Sequence, residues 1–217
     1  MTNHPFFGIV SVWNNQETVY ECLQSLTKVC DIVFVLEGKW KGYKGELRST
    51  DNTKEEIRRL LREGHRIAYA EAPKEQHQFE ARNQLLGCVP DGCFMINLDS
   101  DEILEKYPSQ ERLQELINEW LKNSSKGACI YHYDAVEGDT KTGHLMDLPK
   151  IIFKSRGLHY TKNHRYLDDN NGKIVYNWRD FPACEDFLFV HKSMSKATRP
   201  QADAYKEWLL KWENKNR

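Results

Sequence analysis

Asp99, Asp101 and Glu102 crowd their carboxylates into the stretch Asp99-Ser100-Asp101-Glu102. Directly before them runs Phe94-Met95-Ile96-Asn97-Leu98, a short, mostly apolar run entered from the turn residues Pro90-Asp91-Gly92. Its brevity and its boundaries predict a buried strand rather than a helix. Carboxylates packed at the end of such a strand repel one another unless a cation or solvent screens them. In an open α/β sheet the carboxyl edge of the strands is also where ligands bind. An oxygen-rich cluster there suits Mg²⁺ or Mn²⁺, which take carboxylates together with the phosphate oxygens of a bound substrate. The competing reading is a solvated loop or helix start, because two Asp one residue apart are common in a chain with this many acids.

The elements around the cluster set its context. Phe6 to Val12 reads as a first strand, followed by a helix from about Gln16 to Thr27 that Asn15 can cap. Val19, Cys22, Leu23 and Leu26 fall at helical spacing along it. Asp31 to Leu36 is a second strand, too evenly apolar to have a wet face, which predicts parallel pairing with cover on both sides. Thr53 and Glu56 fit a capping box opening a helix that carries Ile57, Leu60 and Leu61 and stops at Gly64. Arg66 to Ala70 is a short third strand, and Phe79 to Leu86 is a helix bearing Arg82 and Asn83. The βαβαβαβ order implies a parallel sheet with right-handed crossovers.

Beyond the acidic cluster, Ser109 caps a helix with Leu113, Leu116, Ile117, Trp120 and Leu121 on one stripe. Ala128 to Tyr133 and Lys150 to Lys154 are strand-like, with a polar loop or hairpin over Glu137 to Asp147. His159 to Asn177, rich in Asn, Asp, His and Tyr, reads as irregular and suits a surface over a site. Phe187 to Val190 is a last short strand ending at His191, and a helix from about Pro200 closes the sequence with Tyr205, Trp208, Leu209 and Trp212.

Composition narrows the function classes. The 217 residues suffice for a single domain, and 40% hydrophobic with 12% aromatic residues can build a core. A net charge of −1 with acids and bases well mixed gives no footprint for nucleic acid or an anionic membrane. No apolar run reaches the roughly 20 residues of a membrane span, and Phe6 to Val12 lacks the flanks of a signal peptide. The six cysteines contain no C-x-x-C, which points to reduced, mostly buried thiols in a cytoplasmic protein rather than a zinc site. Peripheral membrane attachment through the C-terminal helix stays open.

In their order along the chain, these motifs resemble the family 2 glycosyltransferases of the GT-A fold. IVSVWNNQETVYECLQSL (9–26) is similar to that family's opening strand, turn and helix. DIVFVLEG (31–38) resembles its second strand, STDNT (49–53) its S-T-D-x-T, EARNQLL (80–86) its Ala-Arg-Asn helix and NLDSDE (97–102) its metal-binding D-x-D. The resemblance implies a GT-A, Rossmann-like α/β domain with a mostly parallel sheet flanked by helices and a mixed C-terminal part. Residues 1–105 would form the nucleotide-sugar-binding half and 106–217 the acceptor-side half of a single domain.

The resemblance also implies roles. The donor would be a nucleotide-diphosphate sugar, a UDP-sugar first among them, with Mn²⁺ or Mg²⁺ bridging its phosphates and a glycan or lipid-linked glycan as acceptor. Asp101, and Asp99 directly or through water, would hold the ion, which neutralises charge on the leaving diphosphate. His191 is the candidate third ligand, with His164 behind it. Trp13 would stack on the base, Glu37 would accept from the base or ribose, Arg82 would face the diphosphate or base, and Ser11 would contribute backbone. Inverting members use a carboxylate base, often in an x-Glu-Asp motif after the D-x-D. Ala183-Cys184-Glu185-Asp186 lies at a matching distance, which implies Asp186 as base with Glu185 as the alternative.

The chain departs from the family pattern in several places. Gly38 to Arg48 intrudes between the second strand and STDNT, carrying Lys39, Lys41, Lys44 and Arg48. The Glu185-Asp186 pair precedes strand-like residues where a helix is expected, and Arg165 follows His164 where some relatives have Glu. Two alternatives stand beside the transferase reading. One is a haloacid-dehalogenase-type phosphatase using Asp99 as nucleophile. The other is a non-catalytic nucleotide- or carbohydrate-binding module of the same fold. No G-x-G-x-x-G follows the first strand and no P-loop is present, which argues against dinucleotide and P-loop enzymes.

Overall fold

The computed structural model describes residues 4–135, 141–145, 150–161, 166–168, 173–175 and 181–192. The segment with His164 and the C-terminal stretch expected to be helical lie outside these residues. Four strands open the chain: β1 (Phe6–Val12), β2 (Ile32–Glu37), β3 (Ile67–Glu71) and β4 (Phe94–Asp99). Between them lie α1 (Val19–Thr27), α2 (Thr53–Arg62) and α3 (Gln78–Leu86). They pair in parallel, as the alternating strand and helix periodicities predicted, and their order across the sheet is β3-β2-β1-β4.

β1 is buried along its whole length. Because successive side chains alternate across a sheet, its residues feed two cores. Phe6, Val10 and Val12 join Cys22, Leu23, Leu26, Ile57 and Leu60 of α1 and α2 on one face. Phe7 and Ile9 join Ala81, Leu85 and Leu86 of α3 on the other. This two-sided cover is what fixes β1 and β4 rigidly enough for their carboxyl ends to hold a site.

The second half extends the sheet in mixed orientation. β5 (Glu102–Lys106) follows β4 at once, and α4 (Gln110–Lys122), β6 (Gly127–Ala135), β7 (Lys141–Leu145) and β8 (Ile151–Phe153) come next. β9 (His159–Tyr160), β10 (Tyr166–Asp168) and β11 (Lys173–Val175) form a separate antiparallel sheet, and β12 (Ala183–His191) is the last strand described. The main sheet continues β4-β8-β6-β12-β5, with β8 antiparallel to both β4 and β6, β12 parallel to β6, and β5 antiparallel to β12. β7 pairs with β6 as a hairpin.

Several local expectations shift. α4 starts as read, with the Ser109 hydroxyl accepting from the Arg112 amide at 3.2 Å. α1 begins at Val19 rather than Gln16: residues 16–18 form a turn in which the Thr18 and Val19 amides donate to the Asn15 carbonyl at 3.4 and 3.1 Å, while the Asn15 side chain meets Ser100 and Thr18. Thr53 does not cap α2; its hydroxyl accepts from the Asn15 amide at 2.6 Å, and Asn52 is the N-cap. β5 was not foreseen, since Glu102-Ile103-Leu104-Glu105-Lys106 is too charged to read as a strand. Only Glu102 and Leu104 on it are buried, as suits an edge strand.

Candidate active site

The acidic cluster turns the chain from β4 into β5 at the carboxyl edge of the parallel strands, where Ser11 of β1 lies in register with Asp99. The turn is pinned from several sides. Asn15 donates through Nδ2 to Ser100 Oγ at 2.7 Å, and Thr18 Oγ1 donates to the Ser100 carbonyl at 2.9 Å. The Lys192 amide donates to the Asp101 carbonyl at 2.8 Å, and the Asp99 amide to Glu102 Oε2 at 2.7 Å.

The carboxylates divide the local charge between them. Lys150 Nζ meets both oxygens of Glu102, at 2.7 and 2.9 Å, with both side chains nearly fully buried. Arg82, 6% exposed, donates from Nη2 to Asp99 Oδ1 at 2.6 Å, and Gln78 Nε2 lies 3.5 Å from the same oxygen. Desolvation by the surrounding protein works to raise the Asp99 carboxyl, but the charges of Arg82 and Lys150 oppose it and win, so the carboxyl sits well below the usual carboxylate range. Crowding is thus relieved in large part by the protein's own cations.

Asp101 faces differently. Its Oδ1 lies 3.8 Å from His191 Nε2, with side chains 24% and 30% exposed. β12 carries His191 to this point, where it pairs with Glu102 of β5. Among the described residues no group of three or more His, Cys, Asp or Glu could by itself hold a metal ion. A carboxylate and an imidazole converging at a partly open edge nevertheless fit Mg²⁺ or Mn²⁺, which keep several waters and complete their shell with substrate phosphates. Asp99, already bound by Arg82, fits a supporting place beside them.

Trp13 follows β1 and lies under the insert Gly38 to Arg48, and Glu37 ends β2 just before that insert begins. Trp13 is 6% exposed; its Nε1 donates to the Glu46 carbonyl at 3.2 Å and its ring meets Tyr43 edge-on at 5.9 Å. Gly45 is at φ +125°, and a Cβ there would stand 3.1 Å from Trp13 Cζ2. Glu37 is fully buried, with Oε1 accepting from the Ser49 amide at 2.6 Å and Oε2 from the Tyr69 hydroxyl at 2.7 Å. Burial, then the Glu37 hydrogen bond, pushes the Tyr69 hydroxyl well above its ordinary range. The insert itself is tied down by Lys39, which donates to the Gly45 carbonyl at 2.8 Å and pairs with Glu75.

Glu185 and Asp186 are not brought to this edge. The segment Ala183–Asp186 is the start of β12, not a helix, and Asp186 lies five residues before His191, roughly 16 Å along an extended chain. Asp186 there accepts from Arg112 of α4 at 3.1 and 3.3 Å, and the Glu185 carbonyl accepts from Lys106. The helix expected of an x-Glu-Asp base is absent because Ala183–Cys184 and Leu188–His191 pair with β6 on either side, which leaves Glu185 and Asp186 in a short irregularity of the strand.

Sequence reasoning missed what STDNT does. Ser49 Oγ accepts from the Asn14 amide, Asp51 Oδ2 from the Gln16 amide and Thr53 Oγ1 from the Asn15 amide, while the Thr50 amide donates to Asn14 Oδ1. The motif lashes down the turn after β1, whose Asn14 is held at φ +47° and whose Asn15 in turn grips Ser100. Lys150 and Asn83 were also not singled out for a role. A lysine opening an otherwise apolar strand was the signal available for Lys150, and it does not name the partner.

Residues 9–178, most of the chain, match the family described as Glycosyl transferase family 2. The chain belongs to glycosyl transferase family 2. Among solved structures this family 2 chain is similar to that of S. aureus TarS 1–349, with 14% identity and a TM-score of 0.54 over 87% of this chain and 60% of that one. The S. aureus TarS 1–349 structure in complex with UDP aligns over 86% of this chain and 60% of that one at 14% identity, with a TM-score of 0.51. A longer S. aureus TarS structure gives 0.51 at the same identity over 87% of this chain and 36% of that one. The chain therefore spans about three fifths or less of these structures, and at this identity the likeness shows the GT-A fold. No curated protein matches it.

Proposed function

We propose that this family 2 chain is a metal-dependent, inverting glycosyltransferase that moves a sugar from a nucleotide-diphosphate sugar, a UDP-sugar in the first instance, to an acceptor hydroxyl. The observation that carries the reading is the convergence of Asp101 and His191, with Asp99 beside them, at the carboxyl edge of the strands. The UDP bound by S. aureus TarS supports the donor class. The acceptor oxygen forms its bond to the anomeric carbon as the bond to the diphosphate oxygen breaks. The nucleoside diphosphate leaves with that electron pair, and the hydroxyl proton passes to a base. Asp101 and His191 would hold Mn²⁺ or Mg²⁺, which supplies charge neutralisation on the departing diphosphate.

The residues of this chain do the positioning. Asn15, Thr18 and the Lys192 amide fix the turn that carries Asp101, and Arg82 holds Asp99 ionised and oriented. Trp13 is offered as a base-side contact that a nucleotide reaches once the insert Gly38 to Arg48 moves off it, and Glu37 as the carboxylate beneath it, held in place by Ser49 and Tyr69. The acceptor is expected to be a glycan or lipid-linked glycan. No helix among the described residues is long and apolar enough to cross a membrane.

A thermal-shift panel of UDP, GDP, dTDP and CDP, each with and without Mn²⁺, tests the donor claim, since a ligand that binds only the native state raises the melting temperature by mass action. The expected result is a metal-dependent shift with UDP that Asp101→Ala removes. A shift unchanged in Asp101→Ala sinks the metal role. The placement of Asp186 away from the site favours one second reading, a module that binds the donor without transfer. Release of UDP from a UDP-sugar in the presence of Mn²⁺ decides for the enzyme.

A further inference from the structure

α3 carries more than Arg82. Its next residue, Asn83, grips the backbone of Tyr160 in β9 from both sides: Asn83 Nδ2 donates to the Tyr160 carbonyl at 3.0 Å, and the Tyr160 amide donates to Asn83 Oδ1 at 2.6 Å. A side-chain amide thereby supplies the two hydrogen bonds that a neighbouring strand would supply on that edge of β9. The bonds join a helix of the first half to the strand sheet of the second half across 77 residues of sequence.

This clamp delivers the Tyr160 ring, 2% exposed, under the guanidinium of Arg82, whose Cζ lies 5.7 Å from the ring centroid. Arg82 is therefore held between an aromatic face and the Asp99 carboxylate. A guanidinium this deeply buried, with its reach directed into Asp99, is poorly placed to meet a donor itself, whereas Asp99 is 34% exposed. Cation–π contact is strongest where water is excluded, which is the situation here.

We propose that Arg82 is a positioning residue that acts on the donor diphosphate only through Asp99, and that Tyr160 and Asn83 set its orientation. The role rests on the donor reading given above; the physical relay from Tyr160 through Arg82 to Asp99 does not. It also means that the segment entering the β9–β10–β11 sheet is mechanically part of the donor site.

The test uses the full chain with UDP and UMP, each with Mn²⁺, by titration calorimetry below the melting temperature of every variant. Tyr160→Leu removes the ring and is expected to weaken UDP binding by at most about 30-fold, the ceiling reached if the whole of a desolvated cation–π contact goes into orienting Arg82 for the bound state. UMP, which lacks the second phosphate, stays within about twofold, and Tyr160→Phe, which keeps the ring, behaves as the parent. In an Asp99→Asn background Tyr160→Leu adds no further loss, because the relay already ends nowhere. Asn83→Asp, which keeps the acceptor for the Tyr160 amide and loses the donor to its carbonyl, shifts UDP affinity the same way and serves if Tyr160→Leu does not fold. An equal loss for UMP, a Phe variant as weak as Leu, or a loss that persists in Asp99→Asn overturns the proposal. Should the parent bind none of the nucleotides, the donor reading fails by itself. The same Tyr160–Asp99 cycle read by urea unfolding still decides the relay: non-additive midpoints support it, and additive ones refute it.

Discussion

Replacing Lys150 with Met should cost this protein a large part of its stability. Glu102 accepts two hydrogen bonds from Lys150 Nζ, at 2.9 and 2.7 Å, and one from the Asp99 amide at 2.7 Å. The two side chains are 6% and 4% exposed. Met keeps most of the lysine stem and its packing, including the neighbourhood of Phe189, whose ring lies 5.4 Å from the ammonium. What disappears is the charge and two of the three hydrogen bonds to a carboxylate that water cannot reach. Stranding one partner of a buried pair costs about 3–5 kcal/mol, against a total stability on the order of 5–15 kcal/mol for a domain. Urea unfolding followed by tryptophan fluorescence measures this directly as a fall in midpoint at unchanged slope. The double variant Lys150→Met/Glu102→Gln retains an oxygen for the Asp99 amide and removes the stranded charge, so it should recover most of the loss. A single variant that loses less than about 1 kcal/mol, or a double variant no better than the single, would show that the pair is solvated and refute the argument.

Glu37 and Trp13 give two further tests. Tyr69→Phe leaves the ring and removes the hydroxyl that donates to fully buried Glu37; loss of a hydrogen bond to a charged group should cost about 1.5–3 kcal/mol, again read by urea unfolding, and parent-like stability would mean Glu37 is satisfied without it. Gly45→Ala adds a Cβ against Trp13 at a φ of +125°, so the insert should lift from the indole. Acrylamide quenching of Trp fluorescence is expected to increase, with roughly 1 kcal/mol or more lost in stability; quenching identical to the parent would show that the insert does not cover Trp13 in solution.

Much of this was legible in the chain because it is written in local patterns. The apolar runs and helical spacings between Phe6 and Asp99 set β1 to β4 and α1 to α3, since two-sided burial of β1 and β4 leaves few other ways to hide them. Turn residues before Phe94 and acids after Leu98 placed the cluster at a strand end, and the motif order led to the family that the match over 9–178 shows. Motif spacing carries such information because each piece must sit at one strand end of one sheet.

What the sequence could not reveal is how charges are shared between segments far apart. Nothing local tells that Lys150 serves Glu102, that Arg82 serves Asp99, or that His191 meets Asp101. The x-Glu-Asp at 184–186 reads the same on paper whether it opens a helix beside a donor or a strand beside Arg112; pairing with β6 on either side of it decides for the strand. Thr53 looked like the cap of α2, yet its hydroxyl, like that of Ser49 and the Asp51 carboxylate, is spent on the turn after β1. Propensity and periodicity act over a few residues and so fix the elements. A buried charge is satisfied by whichever partner the packed sheet brings within about 3 Å, and only the tertiary structure chooses that partner.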